Sequence, residues 1–367
     1  MVTVRISTSK ATPGPVDERL VFDTVKTKLP FRSELAGLSP LAGDASNRRY
    51  FRLDLVGSAV RSLILMQLAD PEGFKQSEEA ASGTTPPITE LPFVNILQHL
   101  ERAGVGTPRL LYYDNPAGLL YLQDFGDVTL HEASRGATPA GRAELYRTAV
   151  DTLVRIHTKA TSPADPSCLA FHRSFDVPLL MWEFDHFLEF GVVGRRGKPM
   201  CADDYEVIRA EFQKIAELMA SQPRVFTHRD YHSRNLMVHP DGLGVLDFQD
   251  ALLGPASYDL ASLLRDSYVE LDEALVEELI EGYLERIVTR RPSFSNRPAF
   301  YRLFDLTSIQ RNLKAAGRFV YIDQVKQNPK FLADIPRTLG YVRRNLDRYP
   351  ELATLRKHLR PYVPELQ

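Results

Sequence analysis

Residues Val225 to Asp259 read VFTHRDYHSRNLMVHPDGLGVLDFQDALLGPASYD. Two short apolar runs lie inside this stretch, Leu236-Met237-Val238 and Leu243-Gly244-Val245-Leu246. His239-Pro240-Asp241-Gly242 joins them, pairing a residue that presets one turn dihedral with one that accepts a positive φ. The pattern is strand, turn, strand. A hairpin of this kind returns Asn235 and Asp247 to the same end, and the loop before it carries Asp230 there too.

Those three residue types suit one kind of chemistry. His228-Arg229-Asp230 followed by Asn235 has the spacing H-R-D-x-x-x-x-N of a kinase catalytic loop, and Asp247-Phe248-Gln249 stands where a kinase carries D-F-G. Phosphoryl transfer gathers negative charge between donor and acceptor, so magnesium has to be held close. Asn235 offers a neutral oxygen and Asp247 an ionised one, both hard donors suited to that ion. Asp230 is placed to accept the proton of an attacking hydroxyl or to aim it. An isolated HRD is more often a solvated loop with capping roles. The added asparagine at its offset, the hairpin and the following Asp-Phe decide for the catalytic reading.

The chain has 367 residues, enough for two lobes, and a net charge of −2. That balance gives no electrostatic footprint for nucleic acid or an anionic membrane. Cys168 and Cys201 make neither a disulfide framework nor a metal-ligand spacing. The longest apolar runs, such as Leu63-Ile64-Leu65-Met66, fall far short of a membrane span, and MVTVRISTSK lacks the apolar core of a signal peptide. A cytoplasmic monomer is expected.

The segment 1–16 ends in the breaker cluster Ala11-Thr12-Pro13-Gly14-Pro15 and reads as a loose arm. Helical spacing follows over 17–29. A small-residue loop, 41–49, then feeds a strand at 50–55, which pairs through Val56-Gly57-Ser58 with a second at 61–68. Backbone N–H groups of such a loop can meet phosphates, and Ser46, Asn47, Arg48 and Arg49 are the candidates. A kinase would carry a lysine on the second strand; here Met66 stands among apolar residues and no lysine occurs. Arg48, Arg49 or Arg52 could supply the charge, with Arg49 favoured, since arginine grips phosphate with two donors.

Residues 70–89 read as a flexible polar loop and 91–103 as a helix closed by Gly104. Strands are expected at 109–113 and 118–122. Gln123-Asp124-Phe125-Gly126 comes next, where a kinase-like chain crosses between lobes and where the backbone of Gln123 and Phe125 would read adenine. Beyond Val128 the pattern is helical: 140–159, 175–190, 205–219, 257–266, 271–286, 297–316 and 331–349. Asp259 in a first helical turn suits the orphan N–H groups there. Gln310 to Lys314 is a polar, basic patch on a helix that otherwise reads as buried.

His228-x-Asp230-x4-Asn235, Asp247 and Tyr258-Asp259-Leu260-Ala261 resemble the aminoglycoside phosphotransferase and choline kinase superfamily. Within it GDASNRRYFR (43–52), THRDYHSRNLMV with GVLDFQDALLGPASYDLASLLRDSY (227–268) and DLTSIQRNLKAAGRF (305–319) look most like the anomeric N-acetylmuramate/N-acetylglucosamine kinases of bacterial cell-wall recycling. The resemblance implies an α+β, protein-kinase-like two-lobe fold: an arm over 1–16, an N-terminal nucleotide-binding lobe with an antiparallel sheet over 17–125, and a mostly helical C-terminal lobe over 126–367. It implies ATP and Mg2+ as cofactors, Asp230 as catalytic base and Asn235 with Asp247 as metal ligands. A small sugar would be the acceptor, taken by Glu183, Asp250, Arg265, Arg311 and Lys314. Arg311 and Lys314 suit an acceptor bearing a carboxylate. In such proteins an aspartate at the position of Asp259 also steadies the catalytic loop. The alternatives are phosphorylation of an aminoglycoside or another small alcohol, and a nucleotide-binding pseudokinase.

Overall fold

The computed structural model describes residues 14–41, 48–68 and 90–367. Ser46, Asn47, the loop at 70–89 and residues 1–13 of the expected arm lie outside the described residues. The chain divides into two compact units, one made of 1–74 with 108–126, the other of 75–107 with 127–367.

The first unit is one helix on an antiparallel sheet. Helix α1 (Glu18–Thr27) starts at Asp17, whose carboxylate accepts from the amides of Arg19 and Leu20. The strands are β1 (Glu34–Pro40), β2 (Arg49–Val56), β3 (Ser62–Gln67), β4 (Leu110–Asp114) and β5 (Leu119–Gln123), in the order β1-β2-β3-β5-β4. Strand β2 alternates: Phe51, Leu53 and Leu55 are buried, while Arg52, Asp54 and Val56 face away. The inward set packs with Val21, Val25, Leu63, Leu65, Leu119 and Tyr121 into a single core. Strand β1 escaped the sequence reading because Gly37, Ser39 and Pro40 break any apolar alternation, and it lies at the sheet edge where proline is tolerated.

The second unit is helical around two small sheets. Its helices are α2 (Pro92–Arg102), α3 (Leu130–Gly136), α4 (Pro139–Lys159), α5 (Val177–His186), α6 (Ala202–Ala220), α7 (Ser257–Leu264), α8 (Glu273–Val288), α9 (Arg297–Lys326), α10 (Ile335–Arg348) and α11 (Ala353–Leu359). The expected helix over 175–190 is α5 continued by a π-helical segment, Phe187–Gly194. Helix α2 belongs here and not to the 17–125 lobe into which the sequence division placed it. Asn95 donates to the Ser167 carbonyl at 2.9 Å and accepts from the Leu169 amide at 2.8 Å, His99 Nε2 lies 2.7 Å from the Ala160 carbonyl, and Phe93 packs on Phe248. Its apolar face fits either partner by periodicity alone; these polar contacts decide.

Strand β6 (Arg224–Thr227) pairs antiparallel with β9 (Leu252–Pro255), and β7 (Leu236–His239) pairs with β8 (Gly242–Val245) in the hairpin expected from the sequence. The hairpin is anchored from α2: the Val245 amide donates to the Gly106 carbonyl at 2.7 Å, so close that a Cβ on Gly106 would stand 2.6 Å from the Leu243 carbonyl oxygen. Helix α9 runs through the unit with thirty residues and buries polar Asp305, Thr307, Ser308, Gln310, Arg311 and Asn312 along with its apolar ones. Among the described residues no helix is long and apolar enough to cross a membrane.

Gly106→Ala is expected to destabilise the protein by about 1–3 kcal/mol, because the clash is with backbone that can only shift. Urea unfolding of the variant beside the parent measures it.

Candidate active site

Between β6 and β7 the chain makes the loop that holds Asp230. Arg229 sits there at φ 77°, in the left-handed region, which an L residue keeps only where its surroundings over-determine it. Here the surroundings are Asp259 in the first turn of α7, fully buried at 0 % exposure. Its two oxygens accept from consecutive amides, His228 at 2.6 Å and Arg229 at 2.9 Å. Behind it stand His157 on α4, with Nε2 3.3 Å from Oδ2, and Tyr283, whose hydroxyl lies 2.7 Å from His157 Nδ1. The loop-steadying role expected of Asp259 is therefore a set of direct hydrogen bonds.

One imidazole then ties the loop to the hairpin. His228 Nε2 donates to the Leu246 carbonyl at 2.9 Å, and its Nδ1 accepts from the Asp230 amide at 3.3 Å. Asn235 closes the ring: Nδ2 donates to the Asp230 carbonyl at 2.9 Å, and its own carbonyl accepts from the Leu246 amide at 2.9 Å. Asp247 follows at φ 61°, exposed, with Oδ1 accepting from Gln249 at 2.8 Å. The charges of both Asp230 and Asp247 act on the His232 ring, whose pKa burial pushes down despite them. Asp230, Asn235 and Asp247 are thus brought to one end of the hairpin.

A second network reaches Asp230 from the helices. Glu183 on α5 is 0 % exposed. It accepts from Gln310 at 2.7 Å and pairs with Arg229 at 3.2 Å and Lys314 at 3.0 Å; the Tyr258 hydroxyl lies 3.5 Å away. Burial favours the neutral form of the Asp230 carboxyl, but Lys314, His232, Arg311 and Arg229 overcome it and hold the group well below the ordinary carboxylate range. Burial likewise works against the Lys314 ammonium, and Glu183, Tyr258 and Asp230 more than offset it.

The remaining expected site residues scatter. Glu183 is a buried counter-ion for Arg229 and Lys314, with no surface left for a substrate. Arg265, 3 % exposed, forks onto Glu273 of α8 with both bonds at 2.8 Å, which makes it a tie between helices. Asp250 is half-buried in the turn before β9. In the sheet unit, Arg49 donates to the Gly14 carbonyl at 3.1 Å and lies over Phe51, with half-buried Arg48 preceding it. Gln123 ends β5 with its amide on the Arg109 carbonyl at 2.9 Å, and Phe125 follows, half-buried. Arg52 is spent on Asp124, in a fork with bonds of 2.7 and 3.2 Å. Met66 is 0 % exposed. His157 and the clamping role of His228 were not singled out from the sequence, and Gln310 and Tyr258 were named there only within a patch and a motif. The polar run Thr307-Ser308-Ile309-Gln310-Arg311-Asn312 inside a buried helix extends the Gln310–Lys314 patch named from the sequence.

A model of the phosphotransferase enzyme family matches residues 37–295. The chain belongs to that family. Among curated proteins it is similar to the N-acetylmuramate/N-acetylglucosamine kinase of Pseudomonas aeruginosa, 33 % identical over 87 % of each chain. Among solved structures it is similar to a choline kinase from Cryptosporidium parvum (TM-score 0.61, 10 % identity, 92 % of this chain and 98 % of that one). LicA, solved in complex with AMP, is a further structural relative (TM-score 0.56, 14 % identity, 89 % of this chain and 98 % of that one). As a phosphotransferase of this family with kinase relatives, the protein phosphorylates a hydroxyl acceptor on an α+β, protein-kinase-like fold.

Asp259→Ala would leave the buried amides of His228 and Arg229 without acceptors and His157 without its partner. A loss of about 3–5 kcal/mol in unfolding free energy is expected, read by thermal and denaturant unfolding, together with loss of transferase activity.

Proposed function

We propose that this phosphotransferase is an ATP-dependent sugar kinase that phosphorylates the anomeric hydroxyl of N-acetylmuramate, N-acetylglucosamine or both. The acceptor class is carried by the similarity to the P. aeruginosa kinase, whose name gives those two sugars. The observation that carries the catalytic assignment is the His228 ring, which bonds to the backbone of Asp230 on one side and of Leu246, the neighbour of Asp247, on the other.

In this reading Asp230 accepts the proton of the attacking hydroxyl or aims it. The cations around Asp230 keep it ionised, so it can accept a hydrogen bond from the attacking hydroxyl and aim it. Asn235 and Asp247 would hold magnesium. The donors fit: the Asn235 amide nitrogen is committed to the Asp230 carbonyl, which leaves Oδ1 for a cation, and Asp247 has Oδ2 left once Gln249 has taken Oδ1. Both are hard oxygens. Among the described residues no three His, Cys, Asp or Glu side chains gather as a metal site, so this pair suits an ion that brings its other ligands with it. Bound magnesium-ATP would supply the transferable phosphoryl group and neutralise its charge. Arg48, Arg49 and the backbone of Gln123 and Phe125 are assigned to the nucleotide.

With magnesium-ATP the purified protein should convert one or both sugars to the 1-phosphate, identified by phosphorus NMR, and a sugar blocked at O1 should be inert. Turnover of the blocked sugar would overturn the anomeric assignment; turnover of an aminoglycoside or choline in place of either sugar would overturn the acceptor. Asp230→Asn should lower kcat by about 10²–10⁴-fold with the fold intact by circular dichroism. Retained turnover in that variant would remove Asp230 from the reaction.

A further inference from the structure

Arg311 lies in the middle of α9, 5 % exposed. Its Nε has no hydrogen-bond partner, and no carboxylate pairs with it among the described residues. A buried N–H of a charged group left without an acceptor is unfavourable, and packing alone gives no reason to place one here. The face of α9 that carries it is turned to the catalytic loop, because Glu183 joins Lys314 of that face to Arg229 of the loop. Lys314 follows three residues on, on the same face of the helix, with Nζ 3.0 Å from Glu183 and 3.3 Å from the Tyr258 hydroxyl.

The charges around the loop do not balance. Arg229 and Lys314 share the one carboxylate of Glu183, and Asp230 is set against Lys314, Arg311 and Arg229 together. Within this cluster three cations, Arg229, Lys314 and Arg311, face two carboxylates, Glu183 and Asp230, while Asp259 and Asp266 are taken up by backbone amides of the loop. A guanidinium fork fits phosphate or carboxylate oxygens with paired donors. Position decides between them. The hydroxyl that Asp230 serves is the one forming a bond to phosphorus, so the anion nearest Asp230 during reaction is the phosphoryl group itself. An acceptor carboxylate sits elsewhere on the sugar.

We infer that Arg311, with Lys314 beside it, is a catalytic residue that grips the phosphoryl group in transit, supplying from α9 the positive charge for which β3 carries no lysine. This rests on the kinase reading above. In the step, the acceptor oxygen bonds to phosphorus and its proton goes to Asp230. The bond from phosphorus to the bridging oxygen breaks, and its electron pair leaves on the nucleoside diphosphate. Arg311 stabilises the charge spread over the equatorial oxygens as this happens.

The test compares Arg311→Met and Arg311→Lys with the parent enzyme on N-acetylmuramate and N-acetylglucosamine. Arg311→Met should lower kcat by about 100-fold on both sugars alike, with acceptor KM within about threefold, and Arg311→Lys should recover part of it. Without turnover, aluminium fluoride should tighten ADP binding to the parent enzyme in calorimetry, as a mimic of the transferring group, and should not do so in Arg311→Met. A loss confined to KM for N-acetylmuramate would overturn the inference in favour of a contact to the acceptor carboxylate. Unchanged constants would overturn it outright, as would a collapsed melting transition that Arg311→Lys does not restore. Should the parent enzyme phosphorylate neither sugar, the acceptor proposal fails, while the ADP and aluminium fluoride measurement still decides Arg311.

Discussion

Everything at the loop end of the hairpin depends on a carboxylate that touches no substrate. Asp259 takes the amides of His228 and Arg229 and so holds Arg229 at a positive φ. That turn directs the Arg229 side chain toward Glu183 and leaves Asp230 half-buried beyond it. An unrestrained arginine would leave the left-handed region, which is unfavourable by about 1–3 kcal/mol. Two charge-assisted bonds to buried amides, of about 1.5–3 kcal/mol each, are enough to offset it. His157 and Tyr283 fix the carboxylate in turn, so the conformation of the loop is set from α4 and α8.

The same logic extends to charge. Burial and neighbouring cations pull on Asp230 in opposite senses, and the cations win. They are kept together because Glu183 is buried among them, with Gln310 also donating to it. A buried ion cluster gives little net stability. Its value here is position: Arg229 on the loop, Glu183 on α5 and Lys314 on α9 are held to a common point, so three segments far apart in sequence are registered to one another.

The fold and the loop were legible where local pattern carries the physics. The hairpin at 236–245 follows from two apolar runs and a Pro-Asp-Gly turn, and the spacing of Asp230, Asn235 and Asp247 follows from the hairpin. What stayed hidden depends on partners distant in sequence. Strand β1 has no apolar alternation, and only pairing with β2 makes it a strand. Helix α2 has an amphipathic face that does not say what it packs on. Glu183 and Arg265 read as polar residues open to a substrate; burial and the partners Lys314, Gln310 and Glu273 make them internal ties. Ser46 and Asn47 lie outside the described residues.

The missing lysine of β3 is explained by packing. Met66 is fully buried, cross-strand from Tyr50 and Leu120, and a lysine in its place would bury an ammonium, which is unfavourable by several kcal/mol unless a carboxylate meets it. Arg52 is already engaged, with Nε and Nη2 on Asp124 and Nη2 also near the Gly126 carbonyl. Within the sheet unit Arg52 is paired with Asp124, and Arg49 donates to the Gly14 carbonyl and lies over Phe51. In the helical unit α9 sets Lys314 on Glu183, which Arg229 of the loop shares, and carries Arg311 with its Nε unpartnered. A kinase site has to be net attractive to phosphate whichever element supplies the charge. Under the inference for Arg311, that charge comes from α9.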